Sequence, residues 1–326
     1  MDHLALNVYY WGRAPQVRLL VECLGPALGE LREEGLVRRC WWTRFDARGP
    51  HLSVLLATAD GGAAELRNRL GERVAAYLAE HPSTEPVAPE ELEKRHAECR
   101  GKQMCALDAE PGFAPNNTFG FTDHAPAGYP FWIFEGLADA DRFWDLASGL
   151  SLWTIARLRQ GAGTRAAVRW VADVDHALRR AGADPAAFWR HHATTLLPPL
   201  AGRLESDEAG VLQALPASVG ERNRAAFAQV WAEAEATPPA WPFLDDLLGI
   251  ILAGGGAPPS RRWMQLREVD HCTLAQLDQP VLLHVPLVLY AWQRNLEPFA
   301  GPSGSTVPAP AGAASTSSIT AIAAGS

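Results

Sequence analysis

The first 80 residues alternate between short apolar runs, typical of strands, and longer runs with helical periodicity. Leu4–Trp11 is rich in Leu, Val and Tyr and predicts a strand. Pro15 opens a helical pattern, and Pro26 is expected to kink or split that helix. Leu36–Phe45 and His51–Ala59 are expected to pair as the two strands of a β-hairpin.

A second helical stripe follows the hairpin. Its apolar positions are Leu66, Leu70, Val74, Tyr77 and Leu78. The resulting β-α-β-β-α order predicts the α+β class, in which an antiparallel sheet carries helices on one face. We assign residues 1–81 to this sheet-forming part.

The rest of the chain is expected to be mainly helical. Residues 82–136 predict a linker and a long loop, because residues 106–130 lack periodicity and contain Pro, Gly and Asn. Residues 137–300 show one helical pattern after another, so that 1–300 is predicted to form a single domain. Residues 301–326 carry no charge and few large apolar groups, which predicts a disordered tail.

Composition excludes several classes of protein. The 326 residues are 48% hydrophobic and 20% charged, as in globular proteins, and the net charge of −8 argues against nucleic acid as the main partner. Neither a signal peptide nor an apolar run long enough to cross a membrane is evident. Five cysteines do not make a disulfide framework. We therefore expect a soluble, cytoplasmic protein without a membrane partner.

Two clusters of potential metal ligands give weak signals. His96, Cys99 and Cys105 match no strong zinc spacing. His191 and His192 are adjacent, so on a helix they point about 100° apart and do not converge on one ion. We expect one of these two histidines to be exposed and the other packed. The sequence predicts no metal and no other cofactor.

The hairpin turn and the last predicted helix hold the remaining candidates. Arg44 and His51 flank the turn, where they either face a substrate together or are ordinary turn and surface residues. His284, Tyr290 and Arg294 lie in the last predicted helix, Pro280–Leu296. Tyr290 and Arg294 are four residues apart and share a face, a pair that suits binding of a peptide amide or carboxylate but is also common on helix surfaces.

These segments resemble the small elimination domain of lanthipeptide dehydratases, which also occurs alone in thiopeptide biosynthesis. In that family the hairpin reads approximately Phe-x-Arg-Tyr, an acidic turn, and His-Leu-Arg-Leu-Arg. Here residues 43–46 read Thr-Arg-Phe-Asp, and residues 51–55 read His-Leu-Ser-Val-Leu. The family's His-x-His-x-x-Asn-Arg-like run has a weaker counterpart in Leu-His-Val-Pro-Leu at 283–287 and Tyr-Ala-Trp-Gln-Arg-Asn at 290–295.

Two substitutions within this resemblance narrow the expected chemistry. Elimination-competent members use the two alternating arginines to bind the departing glutamate. Ser53 and Leu55 occupy those positions here, and both project to one face of the strand. The members without the arginines include thiopeptide pyridine synthases, which join two dehydroalanines of a peptide in a formal [4+2] cycloaddition and then lose water and the leader peptide.

The resemblance therefore implies a pyridine synthase that needs no cofactor. Its expected hydrogen-bonding or proton-transfer residues are Tyr290, His284, Arg44 and His51. Its expected substrate-binding residues are Trp42, Asp46, Arg48, Ser53, Trp292 and Arg294. The implied partner is a modified precursor peptide with a leader and a core of thiazoles and dehydroalanines; other biosynthetic enzymes are candidate partners.

Two alternatives remain open at the level of sequence. The first is the glutamate-eliminating subunit of a split tRNA-dependent dehydratase, in which Arg44 or Arg48 would replace the missing arginines. The second is a scaffold without catalytic activity that recruits the leader peptide by strand addition at a sheet edge.

Overall fold

The fold is given by a computed structural model of the chain. It describes residues 2–46, 48–100, 112–123, 131–134, 136–137, 139–196, 221–253, 259–278 and 281–296, with isolated positions between 202 and 214. The predicted disordered tail at 301–326 lies outside the described residues, as do parts of the predicted linker and loop. The side chains of His96 and Cys99, and all of Cys105, are outside them too.

Four antiparallel strands form the sheet. They are β1 (Asp2–Tyr9), β2 (Val37–Phe45), β3 (His51–Thr58) and β4 (Thr118–Asp123), arranged in the order β2-β3-β1-β4. The predicted hairpin is confirmed to within one residue at each strand end. The sheet and the helical remainder confirm the predicted α+β class.

Strand β4 corrects the prediction of a loop without secondary structure at 106–130. It pairs with β1 so that Phe119 lies opposite Val8 and Phe121 opposite Leu6. The two aromatic rings reach the sheet face covered by helix α3, where a Cβ added at Gly71 would lie 3.5 Å from each ring. The strand is only six residues long and contains a glycine, so its period-two pattern is weak.

Three helical segments cover one face of the sheet. Helix α1 (Arg13–Arg18) continues through a π-helical stretch (Leu19–Leu24) into α2 (Gly25–Glu33), and α3 (Ala63–Glu80) follows the hairpin. Pro26 lies in the first turn of α2, where its missing N–H is tolerated. The expected irregularity is thus the π-helical stretch just before the proline.

The sheet side chains on this face alternate along each strand, as period-two geometry requires. They form one buried cluster with the π-helical stretch, α2 and α3, and include Leu4, Leu6, Val8, Trp42, Leu52, Val54 and Leu56. The opposite face contributes Ala5, Trp41 and Leu55 to the core of the helical part. Both faces are therefore used in packing.

The helical part follows the sheet in sequence. Its elements are α4 (Pro89–Arg100), a 3₁₀ turn (Phe131–Phe134), α5 (Ala140–Arg159), α6 (Gly163–Arg180), α7 (Pro185–Leu196), α8 (Glu221–Ala236), α9 (Leu244–Leu252), α10 (Pro259–Gln276) and α11 (Val281–Leu296). None of the helices described is long and apolar enough to cross a membrane.

A buried hydrogen-bond network joins the helical part to the outer edge of β2. The amide Nε2 of Gln276 donates to the Trp42 carbonyl over 2.6 Å and to Ser151 Oγ over 3.2 Å. The Gln276 Oε1 accepts from Thr154 Oγ1 over 3.2 Å. Further along the strand, the Cys40 N–H donates to Ser148 Oγ over 2.8 Å. Helices α5 and α10 thereby satisfy backbone groups that an edge strand would otherwise leave open.

We predict that Gln276→Leu lowers the free energy of unfolding by about 1–3 kcal/mol. The change keeps the side-chain size but leaves the Trp42 carbonyl buried without the Gln276 amide, at about that cost, whereas the Thr154 hydroxyl keeps its hydrogen bond to the Ser151 carbonyl over 2.7 Å. Urea denaturation measures the loss. The control is Gln229→Leu at an exposed position of α8, and an equal effect of the two changes would contradict the role of the network.

Candidate active site

A cavity of about 530 Å³ lies where the sheet meets the helical part. Its wall on the sheet side comes from the N-terminal end of α1, the end of β2 and the hairpin turn, with residues 85–87 beside them. Its wall on the helical side includes His271 of α10 and His284 of α11. Residues far apart in sequence thus converge on one space, as is usual for ligand sites between structural units.

Arg44 lies at this cavity with its guanidinium held by protein groups. Its Nη1 donates to the Ala275 carbonyl over 2.6 Å, and its Nε donates to Gln16 Oε1 over 3.2 Å. Its Nη2 lies 3.0 Å from Asp278 Oδ1, which also pairs with Arg13 at 2.6 Å. Burial lowers the pKa of Arg44 to about 10, with Asp278 opposing this and Arg13 adding to it.

His284 and His271 form an edge-to-face pair on the opposite wall. Their ring centroids are 5.5 Å apart, and His284 is 1% exposed. Imidazoles at a cavity wall can accept or donate a proton near neutral pH, which makes this pair the part of the cavity best suited to proton transfer. The structure therefore brings together two of the four predicted catalytic residues, Arg44 and His284.

His51 points to the other face of the sheet. Arg44 pairs with Leu52 across the hairpin, whereas His51 pairs with Phe45, and successive residues of a strand face opposite sides. His51 is 0% exposed, and its ring lies 4.8 Å from that of Tyr9. Arg44 and His51 therefore lie on opposite faces of the sheet, and the expectation that they face a substrate together is wrong.

His51 is held as a neutral imidazole. Its Nδ1 is 2.9 Å from the Gly49 carbonyl, which can only accept, so Nδ1 carries the proton. Burial is the main cause that lowers the pKa of His51 to about 4, and the charge of Arg48 adds to it. The Gly49 hydrogen bond opposes this shift without cancelling it.

Ser53 belongs to a row of buried polar side chains on the His51 face. It lies between Asn7 of β1 and Thr43 of β2, and all three are at most 9% exposed. Leu55, two residues further along β3, is 7% exposed and faces the same side. The two positions compared above with the family's arginines are therefore buried and neutral.

The other hairpin candidates are distributed around the turn. Asp46 lines the cavity, while Arg48 has a positive φ of 61° and its guanidinium lies 5.9 Å from the Tyr9 ring centre on the His51 side. Trp42 is 1% exposed, with Arg44 stacked 5.3 Å from its ring centre. Of these three, only Asp46 lies at the cavity surface among the described lining residues.

The candidates of α11 beyond His284 pack within the helical part. Tyr290 is 5% exposed and lies between the rings of Phe227 and Trp231. Trp292 is 1% exposed, and Arg294 pairs with Glu235 at 3.0 Å. Within the described part of the chain, none of the three lines the cavity.

Sequence reasoning did not identify His271, Gln16 or Arg13 at the cavity. His271 lies in a helix whose orientation depends on long-range packing, so periodicity alone could not predict that it lies near the hairpin. Gln16 follows Pro15 directly and is 4% exposed, which is an unusual burial for glutamine but gives no local signal. Among the described residues, no group of three or more His, Cys, Asp or Glu side chains is arranged to hold a metal ion.

Comparison with known proteins places the chain in a family. The lantibiotic biosynthesis dehydratase C-terminal family matches residues 4–233, which span β1 to α8. The chain belongs to that family. Among solved structures it is similar to "Pyridine synthase, TbtD, from thiomuracin biosynthesis", with a TM-score of 0.64 and 20% identity over 90% of this chain and 97% of that chain. No curated protein matches the chain.

Family membership confirms the resemblance noted from the hairpin, and the similarity to TbtD shows a shared fold. The match extends across the sheet and most of the helices that follow it, far beyond the hairpin motif. At 20% identity this similarity does not transfer the roles of individual residues. The roles of Tyr290, His284, Arg44 and His51 therefore stay predictions.

We predict that the stability of the protein falls as the pH is lowered from about 6.5 to about 4, in part because of His51. The unfolded imidazole takes up a proton near pH 6.5, whereas the folded one resists protonation until about pH 4. The unfolded state therefore binds more protons in this window, at a cost to the fold of about 3 kcal/mol once the pH is below both values. Urea denaturation from pH 7 to pH 4 measures this slope.

The variant His51→Asn isolates this contribution, because other buried histidines also oppose protonation. We expect its loss of stability between pH 7 and pH 4 to be smaller than that of the wild-type protein. Equal losses in the two proteins would contradict the burial of a neutral His51.

We also predict that Arg44→Lys lowers the free energy of unfolding by about 1–3 kcal/mol. Lysine keeps the charge but cannot contact Gln16, Ala275 and Asp278 at once, as the planar guanidinium does. Arg38→Lys, at an exposed position of the same strand, should change stability by less than about 0.5 kcal/mol. If thermal and urea denaturation find the two variants equally stable, the contacts of Arg44 do not stabilise the fold as predicted.

Proposed function

We propose that the protein forms the central pyridine ring of a thiopeptide by a formal [4+2] cycloaddition of two dehydroalanines, with loss of water and the leader peptide. The observation that carries this proposal is the neutral pair Ser53 and Leu55, buried on one sheet face of a family member at positions compared with the arginines of glutamate elimination. The fold shared with a pyridine synthase supports it.

The reaction proposed here needs positioning more than a strong nucleophile. Two dehydroalanines distant in the peptide must be held in contact, and such confinement contributes a large effective concentration. A cavity of about 530 Å³ at the junction of sheet and helices has room for the reacting segment of a peptide, while the rest of the substrate would extend outside it. A precursor peptide with its leader is the substrate class that this proposal requires.

The cavity groups suit proton transfer within this reaction. Cycloaddition is favoured when one amide adopts its imidic-acid tautomer, and aromatisation needs protons moved to departing water and to the departing amide. We assign these transfers to His284, with His271 beside it. Arg44 contributes a fixed positive field at the opposite wall, since Gln16, Ala275 and Asp278 already hold its guanidinium.

The contacts of the Arg44 guanidinium argue against glutamate elimination. An arginine that expels glutamate must offer its donors to a carboxylate. Those of Arg44 are directed at protein groups, and its side chain lies on the sheet face opposite Ser53. Arg39, at the other end of the Ser53 face, is paired with Asp141 and Asp145 at 2.9 and 2.7 Å.

The test is incubation of the purified protein with a linear precursor that carries its leader, thiazoles and two dehydroalanines. Mass spectrometry should show a macrocycle and a released leader peptide. Absence of both products would overturn the proposal. Formation of dehydroalanine from a glutamylated peptide would instead identify an eliminating subunit, and leader binding without turnover of either substrate would indicate a scaffold.

We predict that His284→Gln lowers the rate of ring formation by about 100-fold or more, the usual contribution of a general acid or base. The matched control is His81→Gln, whose side chain is half-exposed at the end of α3, and it should keep the wild-type rate. Both rates are measured by following macrocycle formation. Equal activity of the two variants would remove His284 from the mechanism.

A further inference from the structure

A cluster of polar side chains extends from the cavity wall into the helical core. His284 of α11 and His271 of α10 lie at the wall, and His192 of α7 lies behind them with 0% exposure. Asp270, next to His271 in α10, is also 0% exposed. The predicted division of His191 and His192 is confirmed for His192, which is packed, while His191 is half-buried.

Asp270 has one hydrogen-bonded neighbour and one close neighbour. Its Oδ1 accepts a hydrogen bond from Trp170 Nε1 over 2.8 Å, whereas its Oδ2 lies 3.3 Å from His192 Nδ1 without a hydrogen bond between them. The ring of His192 is stacked on that of Trp189. Within the described part of the chain, no lysine or arginine forms an ion pair with Asp270.

A second Trp–Asp pair nearby provides a direct comparison. Trp189 Nε1 donates to Asp175 Oδ1 over the same distance, 2.8 Å. Asp175 also accepts from Asn295 Nδ2 over 2.7 Å and lies 3.3 Å from Arg179. Its negative charge thus has a cation beside it, whereas that of Asp270 has only an imidazole.

The surroundings of Asp270 favour its neutral form. Complete burial raises the pKa of Asp270 to about 7, although the Trp170 hydrogen bond opposes the shift. Burial also lowers the pKa of His192 well below its ordinary value. The titratable groups that act on His192 are His271, Arg267, His284 and His191, and from α6 the group facing Asp270 is Trp170, which does not titrate.

We propose that Asp270 is a positioning residue that acts through His192 on the protonation of His271 and His284 at the cavity wall. A proton on the Asp270 carboxyl leaves the cluster uncharged. When the carboxyl loses its proton to solvent, the new negative charge favours an imidazolium among the cluster histidines.

This coupling would give Asp270 a role in tuning the cavity imidazoles, in addition to its role in packing. A buried carboxyl without a cation is costly when it ionises, and a structural position would be better filled by a neutral residue. Placed behind cavity imidazoles, the same group can tune a proton donor near neutral pH. The electrostatic coupling itself does not depend on the reaction, while its catalytic effect rests on the function proposed above.

Nuclear magnetic resonance of the intact protein tests the coupling without any substrate. The probes are the indole N–H signal of Trp170 and the imidazole signals of His271 and His284, assigned with single His→Gln variants. In the wild-type protein we expect these three signals to share a titration step near pH 7. In Asp270→Asn, which keeps an acceptor for Trp170 and a donor for His192, that step should disappear.

The matched control is Asp175→Asn, which alters the other Trp–Asp pair and should leave the shared step in place. The Trp189 indole signal serves as an internal reference in Asp270→Asn. The proposal is overturned if the histidine signals titrate identically in the wild-type protein and Asp270→Asn. It is also overturned if the Trp170 signal of the wild-type protein shows no step between pH 5 and pH 9.

Ring-forming activity provides a second readout. For Asp270→Asn we expect the inflection of kcat near pH 7 to be lost while KM changes by less than about twofold, because the residue touches no substrate. A lower kcat together with a higher KM at every pH would indicate a merely structural role and contradict the proposal. If the protein formed no pyridine, the resonance experiment would still decide the coupling, so the two hypotheses fail separately.

Discussion

The position of the helical part relative to the sheet is set at the outer edge of β2. An edge strand exposes N–H and C=O groups that must find partners when helices cover them. Here the partners are side chains: Ser148 for Cys40, and Gln276 for Trp42. Each such bond contributes modestly to stability, but a shift of the helices along the strand would leave several buried groups unsatisfied. The network therefore fixes the register between sheet and helices more than it adds energy.

That register creates the cavity. Gln276 ends α10, and the turn after it brings Asp278 to Arg44 and Arg13. The same helix places His271, five residues earlier, at the cavity wall. The hydrogen bonds that close the strand edge thus also align a cation from the sheet with imidazoles from the helices. The hydrogen bond of Gln276 to the Trp42 backbone thus helps to set the distance between Arg44 and His271, which are over 200 residues apart in sequence.

Periodicity and turn residues predicted the strands and helices of the sheet-forming part well, but they predicted the placement of the candidate site residues poorly. The hairpin strands, the α3 stripe and the helical remainder follow from periodicity and turn residues. The separation of Arg44 and His51 also follows from period two, once the turn fixes Phe45 opposite His51, but the strand pattern alone does not reveal that register. Strand β4 was missed because its short pattern is interrupted by Gly120. The burial of Tyr290 against Phe227 and Trp231 of α8, and that of Trp292, depends on tertiary packing that no local window contains.

The chemistry of the cavity is set by how its charges are already engaged. Arg44 could offer a carboxylate a strong, bidentate partner only by abandoning Ala275, Gln16 or Asp278, which would leave buried groups unpaired. On the far side of the sheet, Ser53 and Leu55 offer no charge at all. An acidic group would therefore find little compensation for its lost water at either place. A neutral peptide segment loses far less water on entry, and under the proposed reaction its amides require proton exchange of the kind that imidazoles provide. The engagement of Arg44 and the neutrality of Ser53 and Leu55 are therefore consistent with the proposed ring formation and disfavour expulsion of an acid.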